Sequence, residues 1–277
     1  KTQMNSKGGD DRDLNDDKPC VHIEKDGPLC IVTLDEPPAN CYSYKLMRQL
    51  DEAILEARFD DDIHVIILRS QGEKFFCAGA DIGMLKSVTP EWKYNFCLHA
   101  NETISRLEQT SKLVIAEIQG HCVGGGLEVA LACDIRIACA GSGKMGVPEV
   151  HLGVLPGTGG TQRLSRLLGR SKALEWCIEG RMISIDDSKD EGLVHKIFPA
   201  EGFSEAVKEY AMSLSPPRSA GLAVGLIKRS IQGGSDLGLQ DALSLERELQ
   251  QRLFQSNDAS EGLAANRDQR SPQFEGR

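Results

Sequence analysis

Two acidic residues stand where acids are costly. Glu128 follows three consecutive glycines in "GHCVGGGLEVALACD", Gly120–Asp134, and Glu149 follows a proline in "GVPEVHLG", Gly146–Gly153. Both runs are otherwise apolar. A carboxylate in such surroundings must be paired, hydrogen-bonded or neutralised. The glycines need a reason too, because each costs about 1 kcal/mol against alanine inside a helix. A glycine-rich strand-to-helix turn answers that need. It lets a ligand approach the backbone closely, and it exposes N–H groups at a helix N-terminus, where negative charge is stabilised. The alternative is that the glycines serve tight packing and Glu128 is a solvated first-turn acid favoured by the helix dipole. This segment alone leaves both readings open.

Two further segments carry the same kind of signal. In "FFCAGADIGM", Phe75–Met84, four small residues from Cys77 to Ala80 precede Asp81. Small residues after a strand suit close contact with a ligand, whereas Asp81 also suits the N-cap of a following helix. "GVPEVHLGVLPGTGGTQRLSRLLG", Gly146–Gly169, holds Glu149 and a glycine cluster that resembles a phosphate-cradling loop. It lacks the G-K-[ST] of a P-loop, so a turn opening the "TQRLSRLLG" helix explains the cluster equally well. His151 has no second group to make a nucleophile site and is read as structural.

These segments need elements to hold them. "VHIEKDGPLCIVTLDEPP" predicts a hairpin from Val21 to Asp35 around a Gly-Pro turn. Leu46, Leu50, Ile54 and Leu55 recur at helical spacing after the candidate N-cap Ser43. "HVIILRS", "KLVIAEIQG" and "DIRIACA" read as short buried strands. A helix over Pro90–Glu108 and others lie between them, which argues for an α/β core of right-handed crossovers. Beyond Ala200 the pattern is helical throughout. The expected organisation is an acidic disordered leader over 1–19, an α/β core over 20–200 and a helical region over 201–277.

The totals bound the function. With 277 residues, 40% hydrophobic and 26% charged, the composition is that of a globular protein. A net charge of −9 argues against a general nucleic-acid binder, which shows a basic face. No apolar run reaches the ~18 residues of a membrane helix. Nine cysteines, an odd number without a C-x-x-C pair, suit reduced packing residues better than disulfides or a zinc site. The N-terminal stretch carries neither a secretory h-region nor an arginine-rich transit pattern. The expected compartment is the cytoplasm, or an organelle matrix if a presequence is removed before Lys1.

Taken in order, "CAGADI" at Cys77–Ile82, "GHCVGGGLEVALACDIRIA" at Gly120–Ala138 and Gly146–Gly169 resemble the enoyl-CoA hydratase/isomerase, or crotonase, superfamily. The likeness covers essentially everything after the leader. It implies an α/β spiral of ββα repeats with a C-terminal helical trimerisation region. It also implies an acyl-CoA substrate with no separate cofactor and no metal, and a homotrimer or dimer of trimers. The amides of Ala80 and Gly125 would grip the thioester oxygen. Attack at the β-carbon pushes charge onto that oxygen, and losing one such donor costs roughly 3 kcal/mol in other enzymes. The resemblance assigns proton delivery at the α-carbon to Glu149 and activation of water to Glu128, the two-glutamate pattern of a 2-enoyl-CoA hydratase. Ala78, Asp81, Ile82, Leu85 and Gly124 would contact the substrate, and Lys74 would reach the CoA phosphates.

The chain also departs from the family pattern. The usual "N-A-L" before the first helix is "PPANCYSY" here, and Asn266 and Gln269 stand where relatives often place an aromatic and a lysine. Met84, Leu85, Trp92 and Tyr94 either line the acyl pocket or pack the core. The alternatives to hydration are other reactions of the superfamily: enoyl-CoA isomerisation, cyclic dienoyl-CoA hydration or acyl-CoA hydrolysis. An RNA-binding role, known among relatives, is opposed by the acidic balance.

Overall fold

The computed structural model describes residues 18–277; apart from Lys18 and Pro19, the expected leader over 1–19 lies outside them. The chain opens with the antiparallel hairpin β1 (Val21–Asp26) and β2 (Leu29–Leu34). Helix α1 (Tyr44–Phe59) follows, its first turn capped by Ser43, whose hydroxyl accepts from the Leu46 amide. Three turns of a spiral come next. In each, a strand of one sheet is followed by a short strand of another and then by helix. The first holds β3 (Val65–Ser70), β4 (Phe75–Cys77), α2 (Ile82–Ser87) and α3 (Pro90–Gln109). The second holds β5 (Leu113–Ile118), β6 (His121–Val123) and α4 (Gly125–Leu131). The third holds β7 (Ile135–Cys139), β8 (Lys144–Gly146), a 3-10 turn (Pro148–Leu152), α5 (Gly160–Leu168) and α6 (Arg170–Glu179). Strands β9 (Met182–Ser184) and β10 (Lys196–Phe198) close the two sheets.

The larger sheet runs β1-β2-β3-β5-β7-β10, parallel from β2 onward; the smaller runs β4-β6-β8-β9. The apolar runs of β2, β3 and β5 are continuous because both faces of the large sheet are covered. Cys30, Val32, Ile66, Leu68, Val114 and Ala116 point into the main core with α1 and α3. Leu29, Ile31, Val65, Ile67, Leu113 and Ile115 form a second core against Phe203, Val207 and Ala211 of α7 (Phe203–Ser213). The change of pattern at residue 200 is therefore a change of secondary structure, while α7 still belongs to the packing of the sheet. The chain ends with α8 (Gly221–Gly234), α9 (Leu239–Phe254) and α10 (Asn257–Arg267). The nine cysteines are unpaired, six of them buried.

A buried ion pair fastens α8 to the core. The Lys228 ammonium lies 2.7 Å from the Asp134 carboxylate and donates to the carbonyls of Leu107 (2.6 Å) and Lys112 (2.9 Å). Asp134 also accepts from the Val114 amide at 2.7 Å. It sits just beyond the end of α4.

Candidate active site

Each of the three glycines answers to a different neighbour. Gly124 precedes α4 with φ 57° and ψ −128°, a conformation that side-chain-bearing residues rarely adopt. A Cβ there would lie 2.6 Å from Oε1 of Glu149. A Cβ on Gly125 would strike the Tyr42 hydroxyl, and one on Gly126 the Cys77 carbonyl. The small-residue loop meets this turn directly: a Cβ on Gly79 would stand 3.2 Å from the Gly125 nitrogen. Tyr42 fixes that loop from the other side. Its amide donates to Gly79 O at 2.9 Å, and its carbonyl accepts from Asp81 N at 3.1 Å, with Ala80 between them. No hydrogen bond among the described residues occupies the amide of Ala80 or Gly125.

Glu128 is no solvated acid. It lies in the first turn of α4, only 2% exposed. One carboxylate oxygen accepts from the amides of Thr158 (2.8 Å) and Gly160 (2.6 Å). The glycine cluster that resembles a phosphate loop thus cradles an anion, but one that belongs to the chain itself. Gly160 is required there, since a Cβ would meet Pro156 at 2.7 Å and the Glu128 oxygen at 2.9 Å. The loop is held in turn. Asn101 donates to Gly157 O (3.2 Å), and Arg163 donates to Thr158 O (3.2 Å) while forming two 2.7 Å bonds to Glu108. The Tyr42 hydroxyl lies 2.7 Å from the Thr158 hydroxyl. Sequence reading missed these positioning residues, because each acts through a partner remote in the chain.

Glu149 projects from the 3-10 turn toward Gly124, and its Oε2 is buried with no hydrogen-bond partner among the described residues. Burial raises its pKa above the usual carboxylate range. Burial also raises Glu128 from the ordinary 4.5 to about 7; the negative charge of Glu149 adds to the rise, and the two amides oppose it. Two acids thus border one glycine turn, and the charge of Glu149 reaches Glu128.

The shift has a consequence for stability. The folded Glu128 binds its proton more tightly than the unfolded chain does, so it disfavours folding at any pH above about 4.5, and stability falls as pH rises toward about 7. The difference amounts to on the order of 3 kcal/mol. Glu128→Gln is expected to flatten this part of the pH dependence and to be the more stable chain at pH 8. Urea denaturation of both proteins at pH 5 and pH 8 checks it, and equal pH dependence in the two would show that Glu128 folds fully ionised.

The remaining sequence-predicted positions are less central. Asp81 caps α2 by accepting from Met84 N at 2.8 Å. The Ala78 amide is engaged by Ala39 O at 3.1 Å. Ile82 is exposed, Leu85 packs against the main core, and the exposed Lys74 places its ammonium 5.5 Å from the Phe75 ring. Trp92 stacks on Phe96 with centroids 5.5 Å apart, and Met84 is buried, whereas Tyr94 is exposed. Asn266 lies in α10 and Gln269 just beyond it, with φ 53°. His151 packs against Gly180 and takes no place beside the carboxylates.

Comparison with known proteins agrees with this fold. The profile of the enoyl-CoA hydratase/isomerase family matches residues 24–277. A short-chain-enoyl-CoA hydratase of Clostridium acetobutylicum is 36% identical over 246 residues, 88% of this chain and 93% of that protein. The crystal structure of an enoyl-CoA hydratase from Geobacillus kaustophilus superimposes with a TM-score of 0.91 at 43% identity, over 94% of this chain and 98% of that one. For that of Bacillus anthracis the TM-score is 0.88 at 32% identity, over 94% and 100%. The spiral of ββα turns, the paired loops and these likenesses lead to one assignment: the chain belongs to the enoyl-CoA hydratase/isomerase family.

Proposed function

We propose that this chain reversibly adds water across the double bond of a 2-enoyl-CoA thioester, giving the 3-hydroxyacyl-CoA. The observation that carries this reading is a pair of acids, the buried Glu128 and the half-buried Glu149 with its enclosed Oε2, beside two unengaged amides on touching loops. The amides of Ala80 and Gly125 receive the thioester oxygen. Glu128 takes a proton from water as the water oxygen bonds to the β-carbon. The π electrons move to the thioester oxygen, where the two donors stabilise the enolate. Glu149 then delivers a proton to the α-carbon. The raised pKa values suit these roles, since an acid and a base of matched strength must coexist near neutral pH. Ala78, Asp81, Ile82, Leu85 and Gly124 form the substrate-facing rim, with Lys74 toward the CoA phosphates.

A panel of 2-enoyl-CoAs of different chain length and ring structure, followed at the enoyl-thioester absorbance, tests the reaction. Hydration of at least one is expected. Migration of the double bond with no water added to the product would replace this reading with isomerisation.

The same reading includes assembly as a trimer or a pair of trimers. Among the described residues, Ile227, Ile231, Phe254 and Leu263 of the last three helices are more than half exposed, as are Leu152, Val154, Leu155 and Ile178 near the carboxylates. Apolar patches on this scale suit a subunit interface. Of the leucines singled out in the sequence, Leu237 and Leu239 are exposed, while Leu243 and Leu245 are half-buried. Light scattering is expected to give a mass of three or six chains at micromolar concentration; a stable monomer would overturn this part of the proposal.

A further inference from the structure

Tyr42 links the loop of Ala80, the turn of Gly125 and, through Thr158, the support of Glu128. Its backbone clamps the loop that carries Ala80, through the bonds to Gly79 and Asp81. Its hydroxyl lies against Gly125, whose lack of a side chain makes room for it. The same hydroxyl meets Thr158 Oγ1 at 2.7 Å, and the Thr158 amide donates to Glu128. Tyr42 and Thr158 are each 3% exposed. Two hydroxyls buried to that extent satisfy one another, and removing either leaves the other without its partner. Packing alone does not call for a hydroxyl here. The ring already sits 5.9 Å from Phe96, and an apolar side chain would fill that space. This is also where the stretch Asn40–Tyr42 departs from the N-A-L pattern.

We propose that Tyr42 is a positioning residue, whose hydroxyl, through Thr158, holds the Glu128 carboxylate in register with the amides of Ala80 and Gly125. The water that Glu128 activates must meet a β-carbon whose place is set by the thioester oxygen on those amides. The hydroxyl pair ties the Thr158 loop, which holds the Glu128 carboxylate, to the segment that clamps Ala80, and small displacements of catalytic groups lower rates steeply. The inference rests on the hydration reading above.

Four variants of the full chain test it: Tyr42→Phe, Thr158→Val, the pair together, and Thr158→Ser. For the enoyl-CoA hydrated fastest, each of the first two is expected to lower kcat roughly five- to tenfold, with KM within about twofold. The double variant should lose no more than the worse single one, because both remove the same bond. Thr158→Ser, which keeps the hydroxyl, should retain most of the activity. Wild-type kcat in Tyr42→Phe, or a double variant that loses the product of the two single effects, would overturn the proposal. Tyr42→Phe keeps the ring and its contacts, so it decides the matter alone if Thr158→Val does not fold. An inactive wild-type chain would remove the hydration reading itself; an active one with an unaffected Tyr42→Phe would remove only this inference.

Discussion

Replacing either Glu128 or Glu149 by glutamine is expected to lower kcat by at least roughly 10²- to 10⁴-fold, the contribution usual for general acid–base groups. Binding of acetoacetyl-CoA should change little, because the amides that grip the thioester belong to the backbone. Glutamine keeps the shape of the side chain, and its oxygen still accepts from Thr158 and Gly160, so the loop at Glu128 should hold. What goes is the proton. The double variant should lose far less than the product of the single losses, since the two groups act as a unit. Glu149→Gln should also slow solvent deuterium exchange at the α-carbon. Near-normal hydration by Glu128→Gln beside an inactive Glu149→Gln would defeat the two-acid mechanism and leave hydration that depends on Glu149 alone.

Gly124→Ala is expected to cost roughly 10²-fold or more in kcat, through geometry rather than chemistry. The new methyl would lie 2.6 Å from Glu149 Oε1, so the carboxylate must retreat. A flexible side-chain end normally yields cheaply, but here the end that yields is the proton donor. The backbone at φ 57° and ψ −128° adds strain of about 1–3 kcal/mol for any residue with a Cβ. Gly169→Ala separates the two effects. Gly169 has φ 81° and open space around it, so alanine there strains the backbone without touching the site. Thermal denaturation should show both variants destabilised, and kinetics should show only Gly124→Ala impaired. Ordinary turnover by Gly124→Ala would mean that Glu149 needs no fixed position.

The parts of this molecule readable from sequence are those whose cause is local. The hairpin, Ser43 as a cap, the short buried strands β3, β5 and β7 and the helical ending all follow from spacing and composition over a few residues. The smaller sheet was not legible. Its strands are three residues long, too short to show a period of two. The acids were legible as anomalies, because a lone carboxylate in an apolar run demands an explanation. Their supports were not. Tyr42, Glu108, Arg163 and Thr158 are ordinary residues in sequence, and their roles arise only when contacts across 55 to 116 positions are closed. The "GTGGTQ" cluster did carry the right physics, amides turned toward an anion, but nothing local says that the anion is Glu128.

The Asp134–Lys228 pair limits how this chain could be cut or recombined. A break at residue 200 looks inviting, since strands end there and helices begin. Removing the later helices, however, would strand a carboxylate beside the end of the very helix that carries Glu128 and Gly125, and would free two interior carbonyls at Leu107 and Lys112. Losing one partner of a buried pair typically costs about 3–5 kcal/mol, a large part of what holds a domain together. The spiral is therefore no self-sufficient module onto which different endings can be grafted. Any chimera that exchanges the C-terminal helices must carry a cation to the position of Lys228, or replace Asp134 at the same time.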